Sequence, residues 1–219
     1  MSNEILIDGD VVIKICSYQL SNEFISVLGC ISKNLAILAV TRFTIRSRIA
    51  RANRLTDPIG ATRAMVNILS QLGTLEPSED EIDLAADLEQ RAIELSVELD
   101  SGESQLFAIL LKRNFKLLIT GDKRAICALD LIAPPTEGQR LACFEQLIAT
   151  LVTRYDYLDI RARICGEPKT DRAITACFSC SSTPDIANTL SGLRSYVNDL
   201  KIKARRLLIP TFDLSSMIS

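Results

Sequence analysis

The 219-residue chain contains no histidine. This absence excludes Ser/His/Asp and Cys/His nucleophilic triads of the usual kind. It also excludes zinc sites ligated by histidine and acid–base catalysis by an imidazole. Any catalysis must therefore use carboxylates, lysine, serine, threonine, tyrosine, cysteine or a metal ion.

Long apolar runs are also missing. The longest cover residues 35–40 and 106–111, far short of the roughly 18 residues that cross a membrane. Residues 1–4 do not form a basic segment that leads into an apolar stretch, so no secretory signal is predicted. We therefore expect a cytoplasmic protein with no membrane partner.

The seven cysteines are scattered through apolar segments, which predicts reduced and mostly buried thiols. Cys177 and Cys180 form a CxxC pair, with Cys165 upstream. A structural zinc site usually takes its four ligands from two such pairs, and the chain has no second one. The sequence therefore does not favour a zinc site.

The charges are segregated along the chain, although the formal net charge is only −2. Residues 76–103 hold eleven acids and one base, Arg91. A basic run without acids precedes them: Lys33, Arg42, Arg46, Arg48, Arg51 and Arg54. Two interpretations stay open, either solvated helix faces or a basic surface that approaches an anionic polymer beside an acidic, metal-holding pocket.

Several elements can be predicted from patterning. An apolar stretch that turns arginine-rich predicts a mostly helical segment over 34–54. Ser78 and Glu81 have the spacing of a capping box, and the apolar residues that follow repeat with a helical period. Apolar residues over 141–155 also share one helical face.

Two short apolar runs each lead into aspartate. The first, at 5–7, is followed by Asp8 and Asp10, and the second, at 117–119, is followed by Asp122. Each run predicts a buried strand, and ligands bind at the carboxyl edge of an open parallel sheet. Carboxylates that converge at this edge repel one another and favour a bound cation.

Each acid taken alone also has a structural explanation. Asp8 or Asp122 fits a helix N-cap, which is a common role for aspartate. Glu103 lies in the first turn of a predicted helix, where the helix dipole favours a negative side chain. The functional interpretation therefore depends on the whole set of acids.

Together these motifs resemble the PIN-domain nucleases. The similarity is closest to the branch with a Gly-Glu motif before the third acid and a Thr-Gly-Asp-like motif at the fourth. It rests on Asp8 and on segments 99–103 and 118–125, and it covers about residues 4–131.

The resemblance implies an α/β domain over residues 1–132, with three layers and a central parallel sheet. The proline-containing segment 133–138 is the best candidate for a domain boundary. Beyond it, residues 138–219 have a helical pattern. We expect this helical C-terminal extension to pack on the first domain and to serve a protein partner or a homodimer.

The resemblance also implies an acidic pocket that binds Mg²⁺ or Mn²⁺ and hydrolyses RNA as a metal-dependent endoribonuclease. By motif match, Asp8, Glu103 and Asp122 are the expected catalytic and metal-binding residues. Asp10 is a further expected metal ligand, and Thr120 matches a frequent Ser/Thr near the pocket. Four arginines are expected to contact RNA phosphates: Arg42, Arg46, Arg48 and Arg51.

The chain departs from the family pattern at one acid. PIN nucleases usually carry another acid, often glutamate, on a helix between the first strand and the Gly-Glu motif. No acid lies between Glu23 and Asp57, so Glu23 or an acid within 76–87 would have to replace it. This departure predicts weakened activity, and the alternative is a catalytically inactive PIN-like module that binds RNA or a protein.

A second enzyme class stays open. Asp8 and Asp10 also resemble the Asp-x-Asp signature of haloacid-dehalogenase-type phosphatases, where the first aspartate is the nucleophile and the second an acid–base group. Thr120 would then correspond to the phosphate-binding Ser/Thr of that family. The chain lacks a clear later Asp-Asp pair, and Glu103 would have no role, so the phosphatase is the weaker alternative.

Overall fold

The computed structural model describes residues 4–32, 34–51, 55–135 and 138–217. Lys33 and Arg54 of the basic run lie outside the described residues. At its centre is a five-stranded, all-parallel sheet with the order β3-β2-β1-β4-β5. The strands are β1 (Glu4–Ile7), β2 (Asn34–Leu38), β3 (Gly73–Leu75), β4 (Leu117–Thr120) and β5 (Leu141–Cys143).

Helices cover both faces of the sheet, which confirms the predicted three-layer α/β/α class. In chain order they are α1 (Gly9–Ser17), α2 (Ser21–Ile31), α3 (Ala39–Ala50), α4 (Pro58–Leu69), α5 (Glu79–Glu94), α6 (Ser101–Lys112), α7 (Lys123–Ile132), α8 (Phe144–Arg154), α9 (Tyr157–Gly166), α10 (Arg172–Cys177) and α11 (Ile186–Lys203). One core lies between the sheet and α1 to α4 with α8 to α10, and the other lies between the sheet and α5 to α7 with α11 and the residues that follow it. Such double coverage explains the continuous apolar strands.

The two strands that lead into aspartate lie side by side at the centre of the sheet. Ile5 pairs with Leu117 and Ile7 with Ile119, and these side chains are fully buried. The backbone N–H of Asp8 donates to the carbonyl oxygen of Ile119 at 2.9 Å. Both strands therefore end at the same edge.

Two predicted helical segments begin with a strand instead. Residues Asn34–Leu38 form β2 before α3 begins, and Leu141–Cys143 form β5 before α8 begins. The prediction of helix from residue 34 and from residue 141 is therefore wrong for these first residues. A short apolar run fits either a buried strand or a buried helical turn, and pairing with a neighbouring strand decides between them.

The segment after residue 138 is helical as predicted, apart from β5 and the turns. Leu141 also forms an isolated parallel bridge with Leu208, near the end of the chain. Phe144 and Leu147 of α8 are buried in the core beside α1 and α2. The sheet thus continues across the expected boundary at 133–138, and the division into two domains stays a prediction.

The prediction of reduced thiols is wrong for two of the cysteines. Cys165, in α9, and Cys180, after α10, form a disulfide with their Cα atoms 5.4 Å apart. The packing of α9 against α10 brings them together, a contact that their spacing in the sequence does not reveal. The other five are free: Cys16, Cys30, Cys127, Cys143 and Cys177.

The Ser78 backbone N–H donates to Glu81 at 2.8 Å, which confirms the predicted capping box at the start of α5. None of the helices within the described residues combines the length and apolarity that crossing a bilayer requires.

Candidate functional site

A cleft of about 780 Å³ lies at the carboxyl edge of the sheet. It lies at the ends of β1, β2 and β4 and at the first turn of α6. We call it the acid cleft. Its charged lining consists of Asp8, Asp10, Asp100, Glu103, Asp122, Lys14, Arg48, Lys123 and Arg124.

Asp8 lies at the N-cap position of α1. Its Oδ2 accepts a hydrogen bond from the hydroxyl of Thr120 at 3.1 Å. Burial and the neighbouring charge of Asp10 raise the pKa of Asp8 to about 6, although hydrogen bonds from Thr120 and the Asp10 backbone act in the opposite direction. Ionisation of Asp8 in the folded chain therefore carries an electrostatic cost.

Thr120 ties the ends of the two central strands together. Its side chain is buried, and its Oγ1 donates to Asp8 while it accepts from the backbone N–H of Asp122 at 3.1 Å. The structure thus places Thr120 behind the acids, as a residue that positions Asp8.

Glu103 has both a structural contact and a perturbed charge. Its carboxylate accepts from the Asp100 backbone N–H at 3.2 Å, and its own backbone N–H donates to the Asp100 carboxylate at 2.9 Å. This capping box begins α6. Burial and the charge of Asp100 raise the pKa of Glu103 to about 8, with smaller contributions from Asp122 and Asp8.

Asp122 caps α7, since its Oδ1 accepts from the backbone N–H groups of Arg124 at 2.7 Å and Ala125 at 3.3 Å. The Arg124 guanidinium also pairs with Asp122 at 3.2 Å. Although burial opposes it, these contacts hold the pKa of Asp122 below its usual value. Asp122 is therefore ionised and already partly neutralised by a cation.

Asp10 also has a cationic partner, Lys14, at 2.7 Å. The same ammonium group pairs with Asp171 at 2.8 Å. Although burial opposes it, Asp10 and Asp171 raise the pKa of Lys14 above its usual value. Asp171 comes from the turn before α10, and its approach to this site had no signal in the sequence.

The four predicted acids line one cleft, and the structure adds a fifth, Asp100, which the sequence interpretation did not assign. Its signal was its place one residue before Ser101-Gly102, at the start of a predicted helix. Asp100 contributes to the raised pKa values of Asp8 and Glu103.

Neither Glu23 nor any of the acids within 76–87 lines the acid cleft. Glu23 pairs with Arg163 at 3.2 Å, and Glu81 of α5 pairs with Arg113 at 2.7 Å. The intervening helix α3 lines the acid cleft with uncharged or basic side chains: Thr41, Thr44 and Arg48. The predicted departure from the family pattern is therefore present in the folded site.

The predicted arginines separate into two groups. Arg48 lines the acid cleft, and Arg51 lines a second cleft beside it. Arg42 and Arg46 lie on the same helix, α3, but neither contributes to the lining of these two clefts.

The acid cleft supplies oxygen donors, which suit Mg²⁺ or Mn²⁺. Asp8 and Glu103 have raised pKa values that a nearby cation would lower. In the part of the chain that the structure describes, however, no three acidic or cysteine side chains come close enough together to hold a metal ion. The donor chemistry fits a hard divalent cation, while Lys14 and Arg124 now pair with two of the acids.

Comparison of the chain with protein-family models, with curated proteins and with solved structures gives no match. The resemblance to the PIN-domain nucleases therefore stays a prediction from short motifs. Any function rests on the geometry and charge of the acid cleft.

Proposed function

We propose that the protein is a metal-dependent ribonuclease that hydrolyses RNA phosphodiester bonds in the acid cleft, with weakened activity. One observation carries the proposal: Asp8 and Glu103 come from distant parts of the chain, line the same cleft and both have raised pKa values. Perturbed carboxylates that meet in a cleft are typical of functional sites.

Asp8, Glu103 and Asp122, which line the same cleft, would have to come closer together to hold Mg²⁺ or Mn²⁺, with Asp10 as a further ligand. When bound, such a cation supplies a water of lowered pKa and stabilises the charge that builds on the phosphate. Thr120 would keep the Asp8 carboxylate oriented through its hydrogen bond. Glu103 would stay near its position because the capping box of α6 holds it.

Basic side chains in the acid cleft would attract the RNA backbone. Arg48 extends from α3 into the lining, and Lys123 and Arg124 begin α7 beside Asp122. Cations that line a cleft raise the local concentration of an anionic substrate. A location in the cytoplasm, which an RNA substrate would favour, belongs to the same proposal.

The test is incubation of the purified protein with single-stranded RNA and Mn²⁺. We expect cleavage that EDTA abolishes. Asp8→Asn and Asp122→Asn should each lower the rate by more than about 100-fold, because changes beside metal ligands alone cost about 10- to 100-fold. Asp87→Asn, at an exposed position of α5, is the matched control and should cleave like the wild type.

A binding module is the second candidate, and a specific observation favours it. Two of the four predicted acids already have basic partners, Lys14 and Arg124, and α3 contributes no acid to the lining of the acid cleft. If the wild type, Asp8→Asn and Asp122→Asn proteins all fail to cleave RNA but bind it, the interpretation as a binding module without catalysis is correct. A protein partner or a homodimer at the C-terminal helices stays a prediction.

The phosphatase interpretation has less support from the cleft. It assigns chemistry to Asp8 and Asp10 but leaves Glu103 without a role, although Glu103 lines the same cleft and has a pKa of about 8. Asp10 would be the acid–base group, yet Lys14 pairs with it. Formation of an aspartyl-phosphate at Asp8 would favour this alternative over the nuclease.

A further inference from the structure

A second cleft, of about 580 Å³, adjoins the acid cleft. The two share four lining residues: Asp10, Ile13, Lys14 and Arg48. We call the second one the basic cleft, because Arg51 and Lys169 add to Arg48 in its lining. A single strand that enters the acid cleft can therefore continue into the basic cleft.

The basic cleft carries cations that the described chain does not neutralise. Within residues 4–32, 34–51, 55–135 and 138–217, no acid forms an ion pair with Arg48, Arg51 or Lys169. Asp10 is the one acid in the described lining, and Lys14 pairs with it. The cleft therefore presents an excess of positive charge on a concave surface, which attracts an anion.

A buried hydroxyl gives a second, independent observation. Thr170 lines the basic cleft, and its Oγ1 is buried without a hydrogen-bond partner among the described residues. Buried polar groups in folded proteins nearly always have a partner, and an exception often marks a missing water or ligand. A phosphate oxygen in the cleft would accept a hydrogen bond from this hydroxyl once the Thr170 side chain turns toward it, since the Oγ1 itself is out of contact with solvent.

Three parts of the chain line the basic cleft. Helix α1 contributes Lys14 among others, and α3 contributes Ser47 and Arg48. Lys169 and Thr170 come from the loop between α9 and α10. The Cys165–Cys180 disulfide closes this loop, and the Thr170 backbone N–H donates to the carbonyl oxygen of Glu167 at 3.1 Å.

We propose that the basic cleft binds a phosphodiester group of an RNA strand, next to the phosphate that lies in the acid cleft. This inference rests on the proposed function and adds a second contact site for the same substrate. Arg48 and Arg51 present planar guanidinium groups that suit a phosphate, and Lys169 adds a point charge from the loop between α9 and α10. The contact gives affinity and register without reading the bases.

The test measures binding rather than cleavage. A fluorescein-labelled single-stranded oligoribonucleotide is titrated in EDTA with the Asp8→Asn protein, and Arg51→Ala or Lys169→Ala is added to that background. Each added change should weaken binding about 5- to 10-fold and lower the slope of log K against log salt by about 0.7, the value for one lost phosphate contact on a single strand.

Two controls match the changes in residue type. Arg154→Ala and Lys112→Ala remove exposed cations at the ends of α8 and α6, at the opposite edge of the sheet. Both should bind RNA like the Asp8→Asn parent. Competition with inorganic phosphate tests whether the basic cleft recognises a free anion or an RNA strand.

The outcomes separate this inference from the proposed function. Loss of binding in both cleft variants supports the inference even if the wild type never cleaves RNA. Binding that is unchanged in both variants, or a parent that binds no RNA, overturns it. Inorganic phosphate that displaces the oligoribonucleotide at equal molar concentration would also overturn it, because the cleft would then recognise a free anion.

Discussion

Individual carboxylates in the acid cleft make the stability of the fold depend on pH. The pKa of Glu103 rises from 4.5 to about 8, mainly by burial and the charge of Asp100. Because the folded chain disfavours the ionised form, the stability from neutral Glu103 is fully present below pH 4.5 and is lost as pH rises to 8. Asp8 acts in the same direction, since the stability from its neutral form is lost as pH rises from 3.8 to about 6.

Glu103→Gln should therefore flatten the pH dependence of stability. In EDTA at pH 8, we expect the variant to have a free energy of unfolding about 1 to 3 kcal/mol above the wild type. Below pH 4.5 the two should be equal. Glutamine also serves at this position of a capping box, so the start of α6 is preserved. Urea unfolding at a series of pH values measures the difference.

The matched control is Glu79→Gln, at an exposed position in the first turn of α5. It should show the pH profile of the wild type. If Glu103→Gln also follows the wild-type profile, the ionised Glu103 carboxylate is not under electrostatic strain. The electrostatic basis of the proposed metal site would then be lost.

At the scale of elements, the disulfide between α9 and the turn after α10 closes a loop with a sequence separation of 15 residues. The guanidinium of Arg161 adds hydrogen bonds to the carbonyl oxygens of Ser179 and Ser182, at 3.1 and 2.7 Å. This loop carries Asp171, the second partner of Lys14. The C-terminal segment therefore supports one side of the acid cleft.

Replacement of both half-cystines by serine should destabilise the protein. For a loop of about 15 residues, the lost restriction of the unfolded chain corresponds to about 3 kcal/mol. Denaturant unfolding of the Cys165→Ser/Cys180→Ser protein under non-reducing conditions measures the change. Cys30→Ser alters an exposed free thiol and should leave the midpoint unchanged, whereas equal midpoints for all three proteins would contradict the disulfide.

At the scale of the whole molecule, the sheet crosses the expected domain boundary. Leu118 of β4 pairs with Leu141 of β5, and the Leu141 backbone N–H donates to the carbonyl oxygen of Leu207 at 2.8 Å. Ala142 and Ile148 are fully buried in the core between the sheet and α1 to α4. Residues from both sides of the boundary thus share one core.

A fragment that ends at Pro135 should not fold by itself. It would expose the edge of β4 and the apolar faces of β1 and α2 that α8 now covers. We expect far-UV circular dichroism with little regular structure and no cooperative urea transition, in contrast to the full chain. A cooperative transition in the fragment would instead establish residues 1–132 as an independent domain.

Much of the acid cleft could be predicted from local pattern. Continuous apolar runs predicted the two central strands, and parallel strands bring the residues at their ends to one edge, so Asp8 and Asp122 were expected to meet. The acids within residues 76–103 have different environments. Asp100 and Glu103 line the acid cleft, whereas acids of α5 such as Asp83 are exposed.

Local pattern determined the two central strands, the acids at their ends and the capping box of α5, because each depends on residues within a few positions of one another. The register of β5, the Cys165–Cys180 bond and the approach of Asp171 to Lys14 depend on packing between distant segments. No short-range periodicity encodes such contacts. The charge around the acids therefore has two origins: Lys14 and Arg124 lie within four residues of the acids that they neutralise, whereas only the folded arrangement brings Asp171 to Lys14.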